Sequence, residues 1–331
     1  MKSFIDTVRQ EAAKIDAFMA EDLTARETQL DPLLTEILRY GLFTGGKRIR
    51  PLLVVLAAGI CGGERDRSAY RLGSAFEYLH AATLFHDDII DTSATRRGKP
   101  SVYRQYGTNA AILAGDFLHA WAMAIVGELT GREGLAVFCQ ATTGMVDGEF
   151  LQLRNAQRLN LSEVDYSQAI MGKTGLLIAA ACEVGALFAG AAKEQAAALR
   201  AYGEHLGRAF QIIDDLLDYQ GDPQKTGKAV GNDLNEGKVT LPLILALSKA
   251  GTSEKARLME IFSDHQARRR GFAEVSQLIE ECGGFSGARQ RAEAAVAGAI
   301  ASLERCVIAD KGGNERELLV ALAGYLLTRE K

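Results

Sequence analysis

Two short segments of the sequence gather aspartates at the same spacing. HDDIID occupies residues 86–91 and IDDLLD occupies residues 213–218, so both contain Asp-Asp-apolar-apolar-Asp. On a helix, the first and last aspartates of each pattern are four residues apart and lie on one face. Like charges at that spacing destabilise even an exposed helix by roughly 0.2–0.5 kcal/mol. Because apolar sequence precedes both segments, we expect partial burial and a compensating cation.

Carboxylate oxygens favour a hard divalent cation over the softer transition metals. Magnesium binds few protein ligands, keeps several waters and bridges readily to substrate phosphates. Two facing aspartate clusters therefore predict Mg²⁺ ions held between the protein and a diphosphate. The competing interpretation, a helix cap or a solvated helix face, suits one such cluster better than two copies that both follow apolar sequence.

Basic side chains lie near both clusters in the sequence. GGKRIRP (45–51) offers three cationic residues next to two glycines, and TRRGKP (95–100) offers three more. Lys173 opens KTG, and Lys228 and Lys238 lie in a glycine-rich stretch after the second cluster. Arginine makes bidentate contacts to phosphate, whereas lysine acts as a point charge. Together these positions predict a diphosphate-binding site.

Two other phosphate chemistries fit less well. Residues 41–48, GLFTGGKR, nearly match a P-loop, but Arg48 replaces the Ser/Thr that would bind magnesium, and the preceding segment is predicted to be helical. The pair His86–Asp87 is typical of metal-dependent phosphohydrolases with an all-helical fold. That class needs further His and Asp ligands, and the chain has only five histidines. It also leaves the second aspartate cluster without a role.

The elements that must position these residues are predicted to be helices. Apolar residues recur at helical spacing from Phe4 to Met19, and DPLLTEILRYGLF does the same with Asp31 as N-cap and Pro32 at the first helical position. The segment 314–330 closes the chain in the same style. No alternating valine-rich segments with hairpin turns and no low-complexity linker interrupt the pattern. We predict one all-α domain over residues 1–331.

Composition excludes several classes of protein. The net charge of −4 argues against a general nucleic-acid binder. The cysteines lack zinc or disulfide spacing and indicate a reducing, cytoplasmic setting. The N-terminus lacks an apolar signal core. Residues 175–192 are apolar but contain Glu183, so a buried central helix is favoured over a membrane span. The five cysteines are Cys61, Cys139, Cys182, Cys282 and Cys306.

An ordered set of motifs resembles the trans-polyprenyl diphosphate synthase family, of the long-chain, octaprenyl type. The set spans about 200 residues: GGKRIRPLL (45–53), HDDIIDTSATRRGKPS (86–101), GDFL (115–118), GEFLQL (148–153), GKTG (172–175), FQIIDDLLDY (210–219) and GKAVGNDLNEGKVTLPLI (227–244). The resemblance implies the class I isoprenoid synthase fold, with a dozen or so helices around a central catalytic cavity. It implies Mg²⁺-dependent condensation of isopentenyl diphosphate with an allylic diphosphate, by a homodimer.

The resemblance also implies a role for each motif position. Magnesium would be bound by Asp87, Asp88 and Asp91 in the first cluster and by Asp214, Asp215 and Asp218 in the second. Isopentenyl diphosphate would be bound by Lys47, Arg50, His80 and Arg97. The allylic diphosphate would be bound by Arg96, Lys173, Lys228 and Lys238. The polar atoms of Thr174 and Gln211 would face the reacting carbons, which gives Lys173, Thr174, Gln211 and Arg96 catalytic roles.

Two departures from the commonest family pattern leave these ligands untouched. Gly175 stands where alanine is more frequent, which predicts a looser helix, and residues 92–95 lack acidic side chains that are often present. In this family the positions four and five residues before the first aspartate set product length. Here they are the small Ala82 and Thr83, which predict a medium or long product, with octaprenyl as the central expectation.

A tunnel that passes these small residues must close deeper in the protein. Trp121, Met123 and Phe117 are candidates for its floor, although each is also an ordinary core residue type. The alternatives that stay open are a shorter-chain farnesyl or geranylgeranyl diphosphate synthase and a non-catalytic subunit of a heteromeric prenyl synthase. No integral membrane segment and no nucleic-acid partner are expected.

Overall fold

Helices dominate the computed structural model, which describes residues 2–158, 161–221, 230–307 and 313–329. A 3-10 turn, Glu27–Gln29, follows α1, and a π-helical turn, Met171–Gly175, joins α7 to α8. The α-helices in chain order are α1 Lys2–Arg26, α2 Pro32–Leu42, α3 Ile49–Ile60, α4 Arg67–Ile90, α5 Val102–Tyr106, α6 Thr108–Arg158, α7 Glu163–Ile170, α8 Leu176–Phe188, α9 Lys193–Gln220, α10 Asn232–Asn235, α11 Leu241–Lys249, α12 Thr252–Ser263, α13 His265–Glu281, α14 Gly284–Glu304 and α15 Gly313–Leu327. The predicted all-α class is confirmed.

Helices α2 and α4 begin at aspartate caps. Asp31 accepts a hydrogen bond from the Leu33 amide at 2.8 Å, with Pro32 at the first helical position of α2, as predicted. Asp66 caps α4 by accepting from the Ala69 amide at 2.9 Å. These side chains satisfy amide donors that have no partner within the helix. The predicted turn at residues 129–134 appears inside α6 as a kink at Gly131.

The chain folds into two compact units, and each is built from segments that are distant in sequence. The interpretation of residues 1–331 as a single domain stays a prediction. Unit 1 comprises Met1–Gln140, Ala180–Arg200 and Arg305–Ala321, and unit 2 comprises Ala141–Ala179, Ala201–Glu304 and Leu322–Lys331.

The core of unit 1 is centred on α3 and α4. Every residue of α3 from Pro51 to Ile60 is buried, and α3 packs mainly against α4. The approach is close at Gly73 of α4, where a Cβ atom would lie 3.0 Å from the Pro51 carbonyl oxygen. A helix that is apolar all round belongs inside a bundle. This packing fixes the position of α4, whose C-terminal end carries the first aspartate cluster.

Unit 2 has a core of its own, to which α7, α9, α11, α13 and α14 contribute. The π-helical turn is held beside α6 by an approach that needs glycine, since a Cβ atom on Gly148 would lie 2.5 Å from the Lys173 amide nitrogen. Gly175 is also buried, and a Cβ atom added to Gly207 of α9 would lie 2.6 Å from the Gly175 Cα atom. The absence of a side chain at Gly207 therefore allows close packing between these two segments.

One short hairpin is the exception to helix and loop in the described part of the chain. Its strands are Thr95–Arg96 and Lys99–Pro100, with Thr95 opposite Pro100 and Arg96 opposite Lys99. Arg97 and Gly98 form the turn with φ values of 52° and 79°. Two consecutive positive φ values are typical of the type I′ turn that suits the twist of a hairpin. Strands of two residues carry no alternating pattern, so the sequence did not predict them.

Two helical stretches are long and apolar enough to cross a membrane by length and composition. They are Thr108–Ala156 and Glu163–Phe188, and 72% of the apolar window in the second is buried inside the protein. The second stretch includes most of the apolar segment that the sequence assigned to a central helix. Its burial is what we expect of a core helix in a bundle.

Candidate active site

Helix α4 of unit 1 carries the first aspartate cluster at its C-terminal end. Asp87 is half-buried, and Asp91 is the exposed C-cap of the helix. Asp88 is only 1% exposed and takes a forked interaction from Arg96, with Nε at 2.9 Å from both carboxylate oxygens and Nη2 at 2.7 Å from Oδ1. The forked geometry fixes the guanidinium plane. Asp88 therefore orients Arg96, and its assistance in metal binding stays a prediction.

The hairpin after α4 places the two adjacent arginines in different environments. Arg96 lies in the first strand, where it pairs with Asp88, whereas Arg97 occupies the turn and is exposed. A Cβ atom added to Gly46 would lie 3.1 Å from Arg97 Nη1, so the Arg97 side chain lies close to the glycine-rich loop. A side chain at residue 46 would crowd this guanidinium. Unit 1 thus brings the GGKRIRP loop and the hairpin together.

His80 lies among the predicted cations of unit 1. Burial lowers its pKa well below the ordinary value, and the positive charges of Arg50, Arg97, Arg96 and Arg48 lower it further. The imidazole is therefore neutral, and a neutral ring offers one donor and one acceptor nitrogen. Three of the four predicted isopentenyl diphosphate ligands are thus close to one another. The fourth, Lys47, is exposed in the loop just before α3.

In unit 2, the predicted catalytic lysine lies on the π-helical turn. Lys173 Nζ is 2.7 Å from Glu149 Oε2 and donates to Gln152 Oε1 at 2.9 Å. Both partners come from the GEFLQL motif on α6, which the sequence had matched to the family without assigning a role. A substrate phosphate would have to compete with Glu149 for this ammonium group. π-Helical turns of this kind are frequent at functional sites.

Three hydrogen bonds link Thr174, Gln211, Asp215 and Tyr166 in unit 2. Thr174 Oγ1 donates to Gln211 Oε1 at 3.0 Å, and Gln211 Nε2 donates to Asp215 Oδ1 at 2.9 Å. Tyr166 Oη donates to Asp215 Oδ2 at 2.6 Å. The chain fixes which atom of the Gln211 amide faces Thr174. Sequence reasoning found Thr174 and Gln211 but missed Tyr166, whose partner is distant in sequence.

Burial shapes the titration of the second aspartate cluster. It raises the pKa of Asp215 to about 8, with Asp233 adding to the rise, whereas hydrogen bonds from Tyr166 and Gln211 oppose it. It raises the pKa of Asp218 to about 6, again with Asp233 contributing, and backbone amides oppose this rise. Those amides belong to Asn232 and Asp233, which donate to the Asp218 carboxylate at 3.2 and 3.0 Å. A nearby cation is the natural way to stabilise both carboxylates in their charged form.

Two further basic residues were predicted after the second cluster. Lys238 Nζ is 3.3 Å from Asp233 Oδ1 and 2.5 Å from Glu236 Oε2. Lys228 lies outside the described residues. Asp215, Asp233, Lys173 and Lys238 all line a cavity of about 80 Å³, together with Tyr166, Gln211 and polar residues of α6. The cavity is small, and carboxylates and lysines line it beside apolar side chains.

Asp214, the first aspartate of the second cluster, has a cationic partner that the sequence did not suggest. Arg329 Nη1 lies 2.8 Å from Asp214 Oδ1, and the Arg329 guanidinium also lies over the Phe210 ring at 4.8 Å from its centroid. Arg329 follows α15 and Asp214 is on α9, so no sequence pattern connects them.

The chain-length candidates lie one turn before the first cluster on α4. Ala82 is buried and Thr83 is half-buried, with Thr83 Oγ1 donating to the His80 carbonyl oxygen at 2.8 Å. Among the floor candidates, Trp121 stacks on Tyr78 with ring centroids 4.5 Å apart, and Phe117 packs against Trp121 at 5.6 Å. Met123 is half-buried on the same helix.

The donor chemistry of both clusters fits magnesium. Within the described residues no three His, Cys, Asp or Glu side chains converge into a metal cage of their own. Magnesium does not require such a cage, since it is commonly held by one or two carboxylates together with substrate phosphates. Asp87 with Asp91, and Asp214 with Asp218, supply pairs of that kind.

A polyprenyl synthetase family model matches residues 31–280. The octaprenyl diphosphate synthase of Escherichia coli K12 is 37% identical over 322 residues, which cover 97% of both chains. The chain belongs to the polyprenyl synthetase family. It is therefore a prenyltransferase, and the predicted family and activity class are confirmed. Another member, the nonaprenyl diphosphate synthase of Mycobacterium tuberculosis, is 35% identical over 98% of this chain and 94% of its own.

Solved structures of family members share the fold. A polyprenyl synthase from Caulobacter crescentus, complexed with calcium and isoprenyl diphosphate, superposes with a TM-score of 0.88, 34% identity and coverage of 99% of this chain and 98% of that chain. A decaprenyl diphosphate synthase from Rhodobacter capsulatus gives a TM-score of 0.89, 32% identity and 99% coverage of both. The isoprenoid synthase fold is confirmed. The Caulobacter structure shows that a member of the family binds a divalent metal, calcium, together with isoprenyl diphosphate.

The family also includes enzymes that make shorter products. The geranylgeranyl diphosphate synthase of Saccharolobus solfataricus is 37% identical over 250 residues, covering 73% of this chain and 75% of its own. The octaprenyl and nonaprenyl synthases match nearly the whole chain and support a medium- or long-chain all-trans product.

Proposed function

We propose that the protein condenses isopentenyl diphosphate with an allylic diphosphate and makes octaprenyl diphosphate. The observation that carries the proposal is the concentration of Arg50, Arg96 and Arg97 around a neutral His80, directly after the aspartates of α4. Guanidinium groups offer several donors in a geometry that matches phosphate oxygens. The full-length similarity to an octaprenyl synthase supports the same product.

In unit 1, the cationic cluster would bind the diphosphate of isopentenyl diphosphate. Arg97 and Lys47 present exposed cationic groups, and Arg50 lies within electrostatic reach of His80. Neutral His80 can donate a hydrogen bond to a phosphate oxygen without adding charge. Arg96 is oriented by Asp88 and would contact the allylic diphosphate with its remaining donors. Asp88 and Arg96 would thus act together: Asp88 holds the guanidinium, and Arg96 contacts the substrate.

In unit 2, lysines and dipoles would serve the allylic substrate. Lys173 and Lys238 would exchange their carboxylate partners for phosphate oxygens and stabilise charge that grows on the leaving group. The oxygen atoms of Thr174 and Gln211 present the negative ends of dipoles, which stabilise an allylic cation without trapping it. Hydrogen bonds from Tyr166 and Gln211 to Asp215 hold this arrangement in place. No described side chain stands out as the final base, so the departing pyrophosphate would take the proton.

Magnesium is the proposed metal. Asp87 and Asp91 would hold it in the first cluster and Asp214 and Asp218 in the second, because hard carboxylate oxygens at this spacing suit the ion. Bound magnesium would neutralise diphosphate charge and so favour its departure. Arg96, which would orient the substrate, remains positioned by its ion pair with Asp88.

The product length would follow from the small residues before the first cluster. Ala82 and Thr83 leave room for a growing chain where large aromatic side chains would block it. The alternative is a shorter-chain farnesyl or geranylgeranyl diphosphate synthase, which the relative from Saccharolobus keeps open. A non-catalytic subunit of a heteromeric synthase is a weaker alternative, because both aspartate clusters and the described basic positions are present.

The assembly we propose is a homodimer in the cytoplasm. Helix α6 exposes apolar side chains that a second copy would cover, and an apolar face of this kind is costly in water. The five cysteines are free thiols, as expected in a reducing compartment. The exposed apolar residues of α6 are Ile112, Leu113, Val146, Phe150 and Leu153.

The proposal is tested by incubating the enzyme with labelled isopentenyl diphosphate, Mg²⁺ and each allylic primer in turn. Product length is then read by chromatography. We expect a dominant eight-unit product with at least one primer. Products that stop at three or four units would favour the shorter-chain alternative. No elongation with any primer would contradict the activity and favour a non-catalytic subunit.

A further inference from the structure

Arg48 lies between two predicted substrate ligands in the sequence, yet its side chain turns into the protein. It separates Lys47 from Ile49 and Arg50 in the GGKRIRP motif, and its side chain is only 3% exposed. Its backbone is left-handed, with φ 49° and ψ 37°, at the N-cap of α3. Non-glycine residues adopt this conformation rarely, and such strain persists only where the surroundings over-determine it.

Three acceptors from three helices hold the Arg48 guanidinium. Nε donates to Asp16 Oδ1 of α1 at 2.7 Å, and Nη1 donates to Glu77 Oε1 of α4 at 2.6 Å. Nη2 donates to the carbonyl oxygen of Leu42, the last residue of α2, at 2.7 Å. Arginine has a rigid fork of donors, so three bonds in different directions fix its position. The loop before α3 is therefore tied to α1, α2 and α4 through one side chain.

The anchored loop carries Lys47 and abuts Arg97. A Cβ atom on Gly46 would lie 3.1 Å from Arg97 Nη1 and 3.6 Å from Arg48 Nη1, so both guanidinium groups lie beside this glycine. Displacement of Arg48 would move the backbone from which Lys47 projects. It would also change the surface against which the exposed Arg97 rests.

Glu77 balances the buried positive charge of Arg48. Glu77, which is 7% exposed, neutralises Arg48, and Glu77 also opposes the lowering of the Arg97 pKa by burial and by Arg48. The pair of Arg48 and Glu77 adds no net charge to the cationic cluster.

We infer that Arg48 is a positioning residue, which holds the Gly45–Lys47 loop and Arg97 in the geometry that binds the diphosphate of isopentenyl diphosphate. This inference rests on the proposed function of unit 1. Arg48 itself does not touch the substrate. Its loss should weaken binding of isopentenyl diphosphate far more than binding of the allylic substrate, whose lysines Lys173 and Lys238 are held by other partners.

The test compares variants that keep the buried charge balanced. Arg48→Met alone leaves Glu77 as a buried, uncompensated charge and is prone to misfold. The double variant Arg48→Met/Glu77→Gln removes both charges, and Asp16 is exposed enough to be solvated. Arg48→Lys keeps the charge beside Glu77 but cannot make all three bonds. The matched control is Arg65→Met/Glu315→Gln, since Arg65 bridges Glu315 at 2.8 Å and Glu11 at 3.5 Å elsewhere in unit 1.

Steady-state kinetics with both substrates and calorimetric titration of isopentenyl diphosphate alone give the readouts. For the double variant we expect about a tenfold rise in KM and Kd for isopentenyl diphosphate, because small misplacement of binding groups is costly. The allylic KM should stay within about twofold, and Arg48→Lys should give an intermediate rise. The control should lower the melting temperature without this selectivity.

Three outcomes would overturn the inference. They are equal rises in both KM values, no rise in either, or the same selective rise in the control. Wild-type enzyme from the same preparation separates this failure from failure of the proposed function. If the wild type elongates normally while the variants lose no affinity for isopentenyl diphosphate, the inference is wrong and the function stands. If the wild type does not elongate any primer, the proposed function is wrong.

Discussion

Arg329, beyond the end of α15, forms an ion pair with Asp214 of the second aspartate cluster, with 2.8 Å between Nη1 and Oδ1. The guanidinium is 15% exposed and also lies over the Phe210 ring. A cation thus already balances the carboxylate that is proposed to bind magnesium. Metal binding at Asp214 must displace this arginine or share the carboxylate with it.

Replacing Arg329 should make magnesium binding easier. In Arg329→Gln we expect the half-saturating Mg²⁺ concentration to fall about two- to fivefold, because a partly exposed ion pair contributes roughly 0.2–1 kcal/mol. Thermal shift against Mg²⁺ in the presence of inorganic pyrophosphate measures this. Arg289→Gln is the control, since Arg289 donates a hydrogen bond to the Leu327 carbonyl oxygen, at 3.4 Å, and not to an aspartate of the second cluster. An unchanged or raised Mg²⁺ requirement in Arg329→Gln would show that the ion pair does not compete with metal.

Enlarging Thr83 should shorten the product. In Thr83→Phe an aromatic ring would occupy the position one turn before Asp87, and we expect the dominant product to lose one or more isoprene units. The change also removes the hydrogen bond from Thr83 Oγ1 to the His80 carbonyl oxygen. Thr83→Val removes that bond at nearly constant size and is the matched control. Chromatography of the reaction products decides, and an unchanged distribution in Thr83→Phe would remove the argument from residue size.

Local signals in the sequence were enough to predict the all-α class and the start of α2. The cap at Asp31 depends on residues within a few positions and occurs where predicted. The placement of His80 among arginines was implied by the family resemblance and agrees with the structure. These features could be predicted because either helix geometry or a motif encodes them directly.

The partners of these groups could not be predicted, because they depend on tertiary packing. Arg48 looked like another phosphate ligand, but its acceptors Asp16 and Glu77 are 32 and 29 residues away. Arg329 and Asp214 belong to different helical segments. The hairpin at 95–100 depends on a turn of two residues with positive φ and has strands too short to leave a periodic signal.

The stability of the metal-free protein should depend on Asp215. Its pKa is raised from 3.8 to about 8 on folding, mainly by burial, so the folded state holds this proton more tightly than the unfolded state. A raised folded pKa gives stability that is full below about pH 4 and is lost as pH rises towards 8. Asp215→Asn cannot lose a proton and should lack this component. Urea unfolding in EDTA at several pH values measures it, and equal pH slopes for wild type and Asp215→Asn between pH 5 and 8 would contradict the assignment.

Asp87 should have opposite effects on stability with and without ligand. In the ligand-free protein, Asp87→Asn removes repulsion from Asp91 and should leave the melting temperature unchanged or slightly higher. With Mg²⁺ and inorganic pyrophosphate, the wild type should gain about 2.7 kcal/mol at a ligand concentration 100 times Kd, and Asp87→Asn should lose most of that gain. The control is Asp116→Asn, an exposed aspartate whose Oδ1 is 3.7 Å from His86 Nε2. Thermal melts with each ligand alone and with both measure the effect. If Asp87→Asn keeps the full ligand-dependent rise, the first cluster does not bind the metal–pyrophosphate complex.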